Sequence, residues 1–291
     1  MALARGNVSS SKETKPLFGR RIVITRARSQ SSVFVRAIED LGGEVAEFPT
    51  IEILPPKSYD LLDRAIEKIQ GYHWIIFTSV NGVKHFLARF HQLGRDIRVL
   101  EGIKIAAIGP ETAKALESAY LHVDLLPQEY RAEAILRKFK PDDMHGKRVL
   151  LPRAAEARDV LPKTLRGWGA EVDVIEAYRT VGAKSDATWL RAMLLEKKID
   201  MITFTSSSTV THFAALFPGE DIKSLLTGTA VACIGPIAQR TAEKMGIRID
   251  VVARDYTIPG LTKAIVEYFT TPSPYSSPPR RGRGKGEGEK R

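Results

Sequence analysis

Ile76-Phe77-Thr78-Ser79 returns, at an offset of 127 residues, as Thr203-Phe204-Thr205-Ser206. Outward from this pair the correspondence continues in order. Gly19-Arg20-Arg21-Ile22-Val23 lines up with Gly146-Lys147-Arg148-Val149-Leu150, Arg26 with Arg153, Gly42-Gly43-Glu44-Val45 with Gly169-Ala170-Glu171-Val172, and Phe86 with Phe213. One residue is then lost, and Ile108-Gly109-Pro110 matches Ile234-Gly235-Pro236, with Tyr130 matching Tyr256. Ordered matches at a near-constant offset predict an internal duplication.

Each copy alternates short β-branched runs with helical stretches. The runs at 21–25, 74–78, 103–108 and 123–126, and in the second copy at 148–151, 201–205, 230–234 and 249–252, are expected as buried strands. A parallel strand covered on both faces reads as a continuous apolar run. Helices are expected between them at 32–41, where Gly42-Gly43 supplies the stop, and at 80–93 and 111–120. Strands alternating with helices predict an α/β chain with doubly wound parallel sheets, and the duplication predicts two lobes.

Ligands of open parallel sheets bind beyond the carboxyl ends of the strands. The repeated polar motifs stand at that position: Thr78-Ser79 and Thr205-Ser206 end a strand and open a helix, as do Gly109-Pro110 and Gly235-Pro236. Such turns present unpaired backbone N–H groups at the positive end of a helix dipole, which favours anions. Ser and Thr at these positions also serve simply as helix caps, and Pro as a helix starter. Arg26 and Arg153, at strand ends, are either partners for anionic groups or solvated surface side chains.

Composition narrows the function classes. With 291 residues, 43% hydrophobic and 27% charged, the chain has the make-up of a two-domain globular protein. Cys233, the one cysteine, excludes an internal disulfide and is expected as a buried strand residue. The six scattered histidines are read as structural, and no metal site is expected. No apolar run approaches the roughly 20 residues that span a bilayer. Met1–Lys15 is polar, without a secretory apolar stretch, which predicts a cytoplasmic location with an organelle left open. The net charge of +10 is unevenly placed: residues 272–291 carry +4 and residues 1–18 carry +2, leaving +4 over the body. The body is thus only mildly basic, which argues against nucleic acid. The Pro-, Ser- and Gly-rich tail is expected to be disordered, either solvated or a binding segment for RNA or a partner. A Gly-x-Gly-x-x-Gly fingerprint, a Walker loop and a Gly-x-Ser-x-Gly elbow are all missing, so dinucleotide, nucleoside-triphosphate and acyl-transfer chemistry lose their usual support and no cofactor is expected.

Several segments together resemble the uroporphyrinogen-III synthase family. They are 19–26, Phe77-Thr78-Ser79-Val80-Asn81-Gly82-Val83, Ile105 to Ala113 through Gly109-Pro110, and Tyr130-Arg131-Ala132-Glu133. Leu151-Pro152-Arg153, Val174 to Thr180, Thr205 to Ser208 and Cys233-Ile234-Gly235-Pro236 complete the set, and the likeness covers about residues 17–270. No single motif is specific; their order and spacing are. The resemblance implies two flavodoxin-like lobes. Residues 19–53 plus 179–271 would form the first and 54–178 the second, joined by a two-strand linker at Glu52–Pro56 and Glu176–Val181, with 1–18 and 272–291 as disordered ends. It implies conversion of linear hydroxymethylbilane to cyclic uroporphyrinogen III, with loss of water and inversion of the last pyrrole ring. It further implies a monomer without cofactor, in transient contact with the enzyme of the preceding step.

Carried over residue by residue, the resemblance makes Tyr178 the tyrosine that assists departure of the hydroxyl. The alternative for Tyr178 is a linker tyrosine packed between lobes. Thr78, Ser79, Thr112, Ser206, Ser207, Gly235 and Pro236 would bind the carboxylate arms of the substrate, with Arg26 and Arg153 as charge partners. One departure stands out: where the family often has a threonine two residues after the second Gly-Pro, this chain has Ala238. A side-chain contact is lost there and a backbone contact is kept. Two α/β lobes around a cleft also suit a ligand-binding or sensor protein without chemistry. The polar N-terminal segment argues against a periplasmic binder, and it is too short for a helix-turn-helix headpiece.

Overall fold

The computed structural model describes residues 15–129, 132–155 and 159–271. The tail at 272–291, the N-terminal segment before Lys15, and Tyr130 and Arg131 lie outside the described residues. Among the described residues there are ten strands: β1 (Arg21–Ile24), β2 (Glu44–Glu47), β3 (Ile51–Leu54), β4 (Trp74–Phe77), β5 (Lys104–Ala107), β6 (Arg148–Ala154), β7 (Glu171–Gly182), β8 (Met201–Phe204), β9 (Ala230–Cys233) and β10 (Val251–Val252). They form two five-stranded sheets, ordered β10-β9-β8-β1-β2 and β3-β7-β6-β4-β5. Every pairing is parallel except β3 with β7.

The apolar runs become central strands because both of their faces are covered. In the first sheet Ile22, Ile24, Met201, Ala230 and Ala232 join one core with Phe34, Leu261 and Ile265. The alternate residues Val23, Ile202, Phe204, Val231 and Cys233 join a separate core with Phe213 and Leu190. The second sheet divides in the same way, Ile75, Phe77, Ile105 and Leu150 on one side and Ile76, Ala106, Val149 and Leu151 on the other. A period of two between opposite cores is the signature of a sheet with helices on both faces. Cys233 is fully buried in β9, and burial pushes its thiol up to about 12, which leaves it unreactive.

Three elements differ from the sequence expectation. Residues 123–126 touch β5 through one bridge, Ala106 to Leu125, and do not form a strand. The Asp124 carboxylate accepts the Ile105 N–H at 2.7 Å and so takes a donor from the ladder. Asp250 does the same to Val231 at 2.9 Å, and β10 is correspondingly only two residues long. The first helix begins at Arg28, before the expected Ser32. The segments expected as a two-strand linker contain a strand pair. β7 runs for 12 residues, from the second sheet outward, and its end pairs antiparallel with β3 from Ile51↔Gly182 to Leu54↔Arg179. Arg179 Nε donates to the Pro55 carbonyl at 3.0 Å, so the ribbon is held by side chains as well as by its ladder.

Candidate functional site

Four turns at the carboxyl ends of the strands build the site. Ser79 lies in extended backbone as the cap of the helix Val80–Gln92, and its Oγ accepts the Gly82 N–H at 3.0 Å. Ser206 caps the helix Ser207–Ala215 in the same manner. Its Oγ accepts the Thr209 N–H at 3.2 Å, while its own N–H donates to Thr209 Oγ1 at 3.2 Å. Both serines are therefore helix caps first. The caps consume one donor each, and the first N–H groups of each helix stay available for an anion. Gly109 and Gly235 hold the cap positions of the helices Pro110–Glu117 and Pro236–Lys244, with proline first in both.

A cavity of about 430 Å³ lies against the turns of the first sheet. Thr205, Ser206, Ser207, Gly235, Pro236 and Ala238 line it, Arg240 and Tyr256 form its walls, and Glu129 reaches it from the half of the chain that carries the second sheet. Glu129 also pairs with Arg137 at 2.5 Å. The Ser207 hydroxyl accepts from Thr241 Oγ1 at 2.9 Å, so it is oriented from behind. A larger hollow of about 710 Å³ flanks the β3–β7 ribbon beside Phe48, Lys184 and Trp189, and it contains none of the residues expected at the site.

Tyr178 lies in β7 at 7% exposure. Its hydroxyl is 3.0 Å from Ser79 Oγ, and its ring stacks on His85 with centroids 5.6 Å apart and planes 22° from parallel. Burial, and then the charge of Lys84, push the His85 imidazole below its usual range, so its ring is neutral near pH 7.

Arg26 lies two residues beyond the end of β1, with its Nε buried and without a hydrogen-bond partner. Burial holds its guanidinium below the usual range, opposed by the carboxylate of Glu111 at the first turn of the helix Pro110–Glu117. Arg153 is not solvated: it is 5% exposed in β6 and pairs with Asp159 at 2.6 Å. Thr78 is half-buried beside Ser79, whereas Thr112 is buried within its helix at 4% exposure.

The structure thus brings Tyr178 and Ser79 into contact, and it groups Ser206, Ser207, Gly235 and Pro236 around one cavity. The Gln30 side-chain amide of the helix Arg28–Asp40 donates to the Asn81 side-chain amide oxygen of the helix Val80–Gln92. The sequence reading took His85 as structural, and it did not name Glu129, Arg240 or the Gln30–Asn81 contact. Arg240 alone had a readable signal, since it is the repeat partner of Lys114. Among the described residues no group of three or more His, Cys, Asp or Glu is arranged to hold a metal ion, and no helix is long and apolar enough to cross a membrane.

The family model described as uroporphyrinogen-III synthase HemD matches residues 32–263. The chain belongs to the uroporphyrinogen-III synthase family. Uroporphyrinogen-III synthase of Synechococcus elongatus is 33% identical over 261 residues, which span 87% of this chain and 97% of that protein. The enzyme of the same name from Chlorobaculum parvum is 29% identical over 248 residues, or 84% of this chain and 98% of that one. In structure, a mutant uroporphyrinogen III synthase from Thermus thermophilus superposes with a TM-score of 0.63 at 18% identity, covering 86% of this chain and 98% of that one. The mixed α/β architecture with two parallel-rich sheets is the fold of that protein. Uroporphyrinogen-III synthases are lyases of tetrapyrrole biosynthesis, and this chain is one of that enzyme family.

Proposed function

We propose that the protein cyclises hydroxymethylbilane to uroporphyrinogen III, losing water and inverting the terminal pyrrole, in a cleft between two flavodoxin-like lobes. The observation that carries the site assignment is the contact of Tyr178 with Ser79 at 3.0 Å. Ser79 Oγ already accepts a hydrogen bond from Gly82, so its own proton is free to point at the phenol oxygen. With Ser79 as donor, the phenol proton is directed toward the leaving hydroxyl of the substrate. Water departs and a cationic azafulvene remains. The α-carbon by which the terminal pyrrole is joined to the chain attacks it, and the bond from that carbon to the chain then breaks to give a second azafulvene. The free α-carbon of the turned ring closes on this and loses its proton. The chemistry asks for little beyond a proton donor, shielding of the cation and fixed ring orientation, and positioning supplies much of the acceleration.

The substrate is a polyanion, and the turns at Thr78-Ser79, Ser206-Ser207 and Gly235-Pro236 suit its carboxylates through free backbone N–H groups. Arg26, with a buried and unpartnered Nε, supplies a guanidinium donor at the same edge, and Arg153 and Thr112 support the second lobe's half of the cleft. The lobes would be residues 19–53 with 179–271, and 54–178, hinged at the β3–β7 ribbon. The duplication is supported by local chemistry that repeats with the sequence: Ser79 and Ser206 cap equivalent helices, and Asp124 and Asp250 take equivalent strand N–H groups. The strand orders correspond as well. β1 stands between β2 and β8, and β6 between β7 and β4, followed outward by β9 and β5.

We also place the enzyme as a cytoplasmic monomer that needs no cofactor. A lone buried thiol suits a reducing compartment. Activity is expected to survive chelation and exhaustive dialysis; loss restored by one specific metal would overturn this. The deciding experiment adds the purified protein to hydroxymethylbilane and resolves the products by chromatography. The synthase yields isomer III, whereas a non-catalytic binder leaves the isomer I of spontaneous closure.

A further inference from the structure

Ser79, Gly82 and His85 are spaced three residues apart at the start of one helix, so they rise along a single face. Tyr178 lies along that stripe. Its hydroxyl meets Ser79 at 3.0 Å and its ring stacks on His85 at 5.6 Å, so the helix holds the tyrosine at both ends. We propose that His85 is a positioning residue for the reaction, fixing the plane of the Tyr178 ring so that the phenol keeps its hydrogen bond to Ser79 and its line to the leaving hydroxyl. The inference rests on Tyr178 acting as the proton donor.

Four observations favour this over packing alone. The imidazole is only half-buried, and among the described residues no hydrogen bond engages it, so its interaction with Tyr178 is through the ring face. A near-parallel stack restricts rotation of a phenol about its own axis, a freedom that one hydrogen bond at the hydroxyl leaves open. The imidazole is neutral near pH 7, so the stack adds no positive charge beside a site where a cationic intermediate forms. The buried residues of the same helix, Val83, Phe86, Leu87 and Phe90, already anchor it to the sheet, so the helix does not depend on His85 for its core.

The test measures single-turnover rate, KM and thermal midpoint for His85→Ala, His85→Phe, Tyr178→Phe and the double variant His85→Ala with Tyr178→Phe. His85→Ala is expected to lower the rate about five- to tenfold with KM nearly unchanged, the size of one aromatic stack expressed in the barrier. His85→Phe, which keeps a flat ring, is expected to recover most of the rate. In the Tyr178→Phe background His85→Ala is expected to have no further effect, because the residue acts through the phenol. Should His85→Ala not fold, His85→Leu fills the space without a π face and carries the same test. A wild-type rate in His85→Ala, a change confined to KM or to the thermal midpoint, or losses that multiply in the double variant would each overturn the proposal. If Tyr178→Phe is slow while His85→Ala is not, only the role of His85 falls. If Tyr178→Phe is itself as fast as wild type, the proton-donor reading of Tyr178 falls, and this inference with it.

Discussion

Tyr178→Phe is expected to lower turnover by about 10- to 100-fold, roughly 1.4–2.7 kcal/mol of barrier. The substitution removes one hydroxyl and keeps the ring, so the stack on His85 and the packing of β7 are preserved. Ser79 retains its bond from Gly82, so the helix cap also survives and the thermal midpoint should stay close to wild type. Binding should change less than rate, because the proposed carboxylate contacts are the turns around Ser79, Ser206 and Gly235 and not the phenol. Isomer III should remain the main enzymatic product, because on the proposed reading ring inversion depends on the shape of the site and not on this hydroxyl. A single-turnover rate equal to that of wild type would remove Tyr178 from the chemistry and leave positioning of the substrate as the source of acceleration.

Gly82→Ala should damage both stability and activity. A Cβ at Gly82 would stand 2.8 Å from the carbonyl oxygen of Pro152 and 3.4 Å from Ser79 Oγ. Pro152 lies in the middle of β6, paired to β7 through Ile175, so the strand cannot yield and the helix must move instead. Overpacking of this kind costs about 1–3 kcal/mol, read as a lower thermal midpoint. The displaced helix carries Ser79 and His85 away from Tyr178, and a misplacement of about 1 Å at a reacting group costs on the order of 100-fold in rate. Turnover measured well below the melting transition is therefore expected to fall about 10- to 100-fold. A Gly82→Ala variant that melted and turned over like wild type would show that the close approach of helix to strand does not set the site geometry.

Features under local physical control could be read from the residues alone. The apolar runs at 21–24, 74–77, 201–204 and 230–233 became buried parallel strands because a strand covered on both faces has no polar alternation to keep. Ser79, Ser206 and the two Gly-Pro pairs were legible as helix starts because capping acts within a single turn. The repeat was legible because it is written in residue order.

Contacts between distant segments depended on how the sheets pack. Tyr178 and Ser79 are 99 residues apart, and Gln30 and Asn81 are 51 apart. Nothing in the neighbourhood of either residue marks its partner. Arg153 reads in sequence like Arg26, yet the fold buries it at 5% exposure and pairs it with Asp159, while Arg26 is only half-buried. Local alternation at Glu52–Pro56 and Glu176–Val181 does not announce a strand pair; only the family resemblance implied a two-strand linker there. The pair forms because the chain leaves the first sheet and returns beside itself, which lets Ile51–Leu54 satisfy its backbone on the outgoing end of β7. His85 stands on an ordinary helix and acquires its stack only when β7 is laid across that face, a placement set by the packing of helix on sheet and invisible to any local pattern.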